Sequence, residues 1–147
     1  MTVDTERRSE GGRKTLADLV AEARRQIREI SPEDLADAIE EGEPWLIVDL
    51  REPYEYERLH VPDSILVPRG LLEGAVETNS PHRIGTLSEA RDRPVALLCA
   101  TGARSALAAV VLQQMGFTNV VNIAGGIELW EGEDLPTASG SYEGPLP

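Results

Sequence analysis

Short apolar runs alternate along this chain with stretches whose apolar residues recur at helical spacing. Trp45–Leu50, Ser64–Pro68, Val95–Leu98 and Asn119–Asn122 are too short for helices and are bounded by Gly, Pro or charged residues, so they predict strands. Trp45-Leu46-Ile47-Val48-Asp49-Leu50 is nearly continuous in its apolar character, which suits a strand covered on both faces. Leu16, Leu19, Val20, Ala23 and Ile27 predict an amphipathic helix over 15–28, with Thr15 or a neighbour as its cap. A short extended piece at Arg28–Ile30 follows. Ser31-Pro32-Glu33-Asp34 then has the form of a helix start: a serine cap, proline at the first helical position and acids in the first turn. That helix is expected to end near Glu41-Gly42. The Ala/Leu-rich stretch from Ala106 through Leu112 and Met115 predicts a further helix, stopped by Gly116.

Elsewhere the pattern weakens. Between Leu71 and Arg93 the periodicity fades, and an irregular connection with one short helix near Leu87–Arg91 is expected. Gly125-Gly126 should turn the chain into a short helix anchored by Ile127 and Trp130. Residues 1–14 read as a disordered lead-in, 15–28 as the amphipathic helix, 29–136 as the folded domain and 137–147 as a loose tail. Strands alternating with helices imply an α/β fold of three layers around a parallel sheet of about five strands.

Composition narrows the function classes. The chain has 147 residues, enough for one domain with a proper core. Its 26 acidic residues outnumber its 14 basic ones, for a net charge of −12, which argues against nucleic acid or an anionic membrane as partner. A single cysteine cannot form an internal disulfide, so nothing in the sequence requires an oxidising compartment. With no apolar run of spanning length and no signal-peptide core, a soluble cytoplasmic protein is the expectation.

The chemistry concentrates at Cys99-Ala100-Thr101-Gly102-Ala103-Arg104-Ser105, where the strand ending at Leu98 bends into the helix. Unpaired backbone N–H groups and the positive end of the helix dipole face whatever lies in such a loop. Here that is a sulfur atom, and both the field and the charge of Arg104 favour thiolate over thiol. Ala100, Gly102 and Ala103 are small, so backbone can curl around a ligand, and Gly102 can take a positive φ. Free cysteines are often inert core residues. The Gly and Arg spacing after a strand favours instead an activated nucleophile in an anion-binding bowl. Arg69, directly after the strand at Ile65–Val67, is a second candidate for the rim of that bowl, unless it pairs with Glu73. His60 and His82 are the only histidines, and neither stands with Cys99 at the close spacing of a zinc site, so no metal is expected.

Cys99-x-x-Gly102-x-Arg104-Ser105 resembles the active-site loop of the rhodanese family of sulfurtransferases. Leu46–Glu52 followed by Glu55-Tyr56 and His60-Val61-Pro62 is similar to the first signature of that family. Asn122–Ile127 with Trp130 and Leu135-Pro136 is similar to its carboxyl-terminal signature. The resemblance runs from about residue 29 to residue 136. It implies a rhodanese-like fold and a catalytic Cys99 that holds a sulfane sulfur as a persulfide. The donor would be a small molecule such as thiosulfate and the acceptor a thiol or cyanide, with no cofactor. Backbone N–H groups from Ala100 through Thr101, Gly102 and Ala103 to Arg104 would bind the sulfur, and Asp49, Arg51 and Ser105 would support the loop. A sulfur-relay protein could act as partner, and the amphipathic helix could serve a homodimer unless it packs on its own domain. Leu59 and Asp63-Ser64 depart from the glycine and the Gly-Ala pair common in the family, which bears on the local turn.

Two rival readings remain. A cysteine-dependent phosphatase or arsenate reductase also closes an anion bowl with Cys and Arg, but around five intervening residues. Here four, Ala100 to Ala103, separate Cys99 from Arg104, a ring better suited to one sulfur atom than to a tetrahedral oxyanion. A non-catalytic rhodanese-like binding module is the other rival, although such modules often lack the cysteine that this chain has.

Overall fold

A computed structural model describes residues 12–147. The lead-in expected over 1–14 therefore lies mostly outside the described residues. From the amino end come α1 (Leu16–Arg24), β1 (Arg28–Ile30), α2 (Pro32–Glu40), β2 (Leu46–Asp49), α3 (Pro53–Arg58) and β3 (Ile65–Leu66). After a 3-10 turn at Arg69–Leu71 follow α4 (Leu72–Val76), α5 (Gly85–Ser88), β4 (Val95–Leu98), α6 (Ala103–Gln114), β5 (Val120–Ile123) and α7 (Gly126–Gly132). The five strands form one sheet in the order β1-β5-β4-β2-β3, every pair parallel. The expected α/β architecture is present.

Alternation along the central strands divides the core between the two faces of the sheet. Val48, Val95 and Leu97 face one side with Leu72, Val76 and Leu87 and with Ala108, Ala109 and Leu112 of α6. Ile47, Ala96 and Leu98 face the other, with Leu35 of α2 and Ile127 and Trp130 of α7. Burial on both faces is what the unbroken apolar runs require. α1 forms a third, smaller cluster on α6 through Val20, Ala23 and Ala106. Its outer residues Leu16 and Leu19 stay exposed.

Local signals fix several boundaries. The Thr15 hydroxyl accepts from Asp18 N–H at 3.1 Å and Ser31 Oγ from Asp34 N–H at 3.1 Å, capping α1 and α2. α6 ends before Gly116, which takes φ 97°. Asp63, standing where the family often has glycine, adopts φ 66°. A short polar side chain tolerates that region, so the turn is kept despite the substitution.

Two expectations are corrected. The connection from Leu71 to Arg93 holds two short helices, and the second lies at Gly85–Ser88 rather than Leu87–Arg91. They exist because Leu72, Ala75, Val76 and Leu87 are buried against the sheet, a tertiary cause that leaves little periodicity in so few residues. The carboxyl-terminal tail, expected to be loose over 137–147, contacts the domain as far as Tyr142. Ala138 and His60 exchange backbone hydrogen bonds at 2.9 Å each way, Gly140 N–H donates to Glu57 O at 2.8 Å, and the Tyr142 ring packs edge-on to Tyr56 at 5.3 Å.

Candidate active site at the carboxyl ends of β2 and β4

From β2 the chain moves outward to β3, and from β4 it moves the opposite way to β5, so the order reverses between β2 and β4. Open α/β sheets form ligand crevices at the carboxyl ends of strands flanking such a reversal. Asp49 ends β2 opposite Leu98 of β4, and Leu50 N–H donates to Leu98 O at 2.8 Å. Asp49–Arg51 and Cys99 are thereby brought to one end of the sheet.

Cys99 is free and only 1% exposed. Gly102 N–H donates to its Sγ at 3.1 Å, Ser105 N–H at 3.4 Å and the Ser105 hydroxyl at 3.3 Å. The sulfur is thus held by three donors from the loop and the first turn of α6. Gly102 caps α6 with φ 101°, a conformation only glycine adopts without strain. Among the described residues, the N–H groups of Thr101, Ala103 and Arg104 have no hydrogen-bond partner. The loop is held from behind by α7, where Ile127 N–H donates to Cys99 O at 2.9 Å and Glu128 N–H to Ala100 O at 3.1 Å. Gly126 permits this approach. A Cβ there would lie 2.4 Å from Ala100 O.

Arg51 and Asp49 form a buried, two-pronged pair, with Nη2–Oδ2 at 2.9 Å and Nε–Oδ1 at 3.0 Å. The guanidinium also donates to Leu59 O at 2.7 Å, so Arg51 ties the end of β2 to the segment after α3. That segment carries His60, stacked on Tyr56 with ring centroids 3.7 Å apart and with Nδ1 2.7 Å from Tyr56 O. A cleft of about 330 Å³ beside the loop is lined by Tyr54, Glu55, Arg58, Ala100 and Glu128, among others.

Glu55 was not marked as a site residue by sequence, yet its carboxylate receives both Arg104 terminal nitrogens at 3.2 Å. The hydrogen bond to Glu55 raises the Arg104 pKa above its ordinary value. Burial works against it, and the charges of Glu55, Cys99 and Asp49 add to the rise. Burial pushes Glu55 upward, but the Arg104 hydrogen bond, the Glu52 N–H and the charges of Arg104 and Arg51 outweigh it and hold the carboxyl below its usual range. Asn122 was quoted only as part of a motif, but its side-chain amide bonds Gly102 O at 3.1 Å. Neither role has a local signal, because the partners lie 49 and 20 residues away.

Arg69 is not gathered into this cluster. Its backbone follows β3, with Arg69 N–H donating to Leu50 O at 3.0 Å, but the guanidinium pairs with Glu73 at 2.9 Å. The side chain lines a separate cleft with Leu19, Gln26 and Leu107. Thr101 is exposed and, with Ala103, borders an apolar groove against α1. Among the described residues no group of His, Cys, Asp and Glu is arranged to hold a metal, and no helix is long and apolar enough to cross a membrane.

The family model for the rhodanese-like domain matches residues 31–133. The chain belongs to the rhodanese-like family. It is 34% identical over 110 residues to a sulfurtransferase of Allochromatium vinosum, covering 75% of this chain and 94% of that protein. The probable adenylyltransferase/sulfurtransferase MoeZ of Mycobacterium tuberculosis is 32% identical over 107 residues, 73% of this chain, but the match spans only 25% of that longer protein. Among solved structures, a Rhodopseudomonas palustris protein of unknown function, named a possible tyrosine phosphatase, matches with a TM-score of 0.80 and 31% identity. The alignment covers 86% of this rhodanese-like chain and 96% of that one.

Proposed function

We propose that this rhodanese-like domain transfers a sulfane sulfur through a persulfide on Cys99. The observation that carries the reading is the set of donors on Cys99 Sγ: Gly102 N–H, Ser105 N–H and the Ser105 hydroxyl, at the amino end of α6. With thiosulfate as donor, the Cys99 thiolate attacks the outer sulfur. A bond forms between Sγ and that sulfur, the sulfur–sulfur bond of thiosulfate breaks, and sulfite leaves with the electron pair. A thiol or cyanide then attacks the outer sulfur of the persulfide and carries it away, and Cys99 departs as thiolate. The N–H groups of Thr101, Ala103 and Arg104, without partners among the described residues, are available to the terminal sulfur and its developing charge. Asp49 and Arg51 hold the crevice wall, and Arg104 supplies positive charge tempered by Glu55. A protein that donates or accepts sulfur in a relay is a natural partner, since some relatives carry this domain as one part of a longer chain.

Phosphate-ester hydrolysis is the second reading, favoured by the name of the Rhodopseudomonas palustris neighbour. The four residues between Cys99 and Arg104 disfavour it, because so short a loop suits the single outer sulfur that thiosulfate presents better than a whole phosphoryl group. Assays of thiosulfate with cyanide or a dithiol, run beside aryl phosphate hydrolysis, separate the two. Sulfur-transfer turnover without phosphatase turnover is expected, and the converse would overturn the proposal.

A further inference from the structure

Behind the sulfur loop a chain of polar contacts runs to residues that precede the family match. Gly102 O accepts from Ala106 N–H and from Asn122 Nδ2, both at 3.1 Å, so the carbonyl is held from two directions. This fixes the residue whose own N–H points at Cys99 Sγ. Asn122 is fully buried, and its Nδ2 makes its other bond to Glu29 Oε2 at 2.7 Å. Because both partners are acceptors, the amide must present its NH2 to them. Its Oδ1 is the buried side-chain polar atom left without a partner among the described residues, so nothing on that side holds the amide in place. Orientation therefore falls to Glu29, which stands beside Asn122 in the β1–β5 register. Arg24 of α1 approaches the same Glu29 oxygen at 3.4 Å, and its Nη2 would be 3.4 Å from a Cβ on Gly102.

We propose that Glu29 is a positioning residue for Cys99: through Asn122 it fixes Gly102, and Gly102 fixes the N–H that meets the sulfur. Arg24 is the outermost and weakest link, since it is half-exposed and its contact is long. Both lie before residue 31, where the family match begins, so the sulfur loop is braced by a segment outside that match. The significance of this brace for turnover rests on the sulfur-transfer reading; its effect on the reactivity of Cys99 does not.

The test uses the full chain with Glu29→Ala, Glu29→Gln and Arg24→Ala. Glu29 sits at the exposed edge of the sheet, so its variants should fold. Two quantities are read: the rate of Cys99 alkylation by iodoacetamide at one neutral pH, and kcat and KM for thiosulfate. Glu29→Ala should slow alkylation and kcat each by about fivefold, the worth of one net hydrogen bond, with KM changed less than about twofold. Glu29→Gln keeps an oxygen for Asn122 and should recover most of the loss, and Arg24→Ala should have a smaller effect. An alkylation rate for Glu29→Ala equal to the parent's would overturn the proposal, whatever the parent's activity. So would a loss that follows melting temperature and is not recovered by Glu29→Gln. A parent that transfers no sulfur, yet whose Glu29→Ala variant alkylates more slowly, would support the positioning role and refute the proposed function instead.

Discussion

Glu55 and Arg104, 49 residues apart in sequence, meet in a two-pronged ion pair at the edge of the sulfur loop. The positive charge expected to recruit an anionic donor is thus partly neutralised. Replacing Glu55 by Gln should lower KM for thiosulfate about two- to fivefold by freeing that charge. Arg104→Ala should instead reduce both kcat and kcat/KM, by about tenfold or more, because it removes charge that stabilises the reacting sulfur. The pair also carries a pH signature. Glu55 ionises in the fold below its ordinary value of 4.5, so its contribution to stability is complete above that value and is lost as pH falls through the lowered one. Melting curves across the acidic range should show this loss in the parent and a shallower dependence in Glu55→Gln.

Arg51→Ala should destabilise the protein by about 3–5 kcal/mol, because it leaves the carboxylate of Asp49 buried without its partner. Denaturant titration checks this. Asp49 and Arg51 changed together to apolar residues should recover part of the loss, whereas independent effects would simply add.

The role of Gly126 is steric. A Cβ there would strike Ala100 O at 2.4 Å and Cys99 O at 2.5 Å, both backbone atoms, and the residue stands at φ 62°. Gly126→Ala should therefore cost about 2 kcal/mol or more and displace the loop from α7. A drop in melting temperature with slower Cys99 alkylation is the expected pair of results.

Arg69→Ala is expected to leave thiosulfate kinetics unchanged. Its guanidinium already bonds Glu73, and the cleft it lines lies along α1 and α6 rather than at Ala100. A raised KM at fixed ionic strength would return Arg69 to the rim of the bowl.

What the sequence conveyed and what it did not have the same physical origin. The strand Val95–Leu98 and the helix from Ala106 to Met115 could be read because Pro94 and Gly116 punctuate them locally, although the helix begins earlier, at Ala103. α1 was legible as a helix but not as a neighbour of the site, since Arg24 and Glu29 connect with the loop only once β1 has paired with β5. Glu55 and Asn122 were legible only as parts of motifs, and their contacts with the loop were hidden for the same reason. Tyr142 gave no sign of docking because its partner, Tyr56, comes from the other end of the domain.

Intact-protein mass measurement after incubation with thiosulfate tests the central claim most directly. The parent should gain the mass of one sulfur atom, removed again by cyanide or a reducing thiol, and Cys99→Ser should gain nothing, because a hydroxyl is far less readily ionised. A Cys99→Ser variant that turned over thiosulfate as well as the parent would contradict transfer through a Cys99 persulfide.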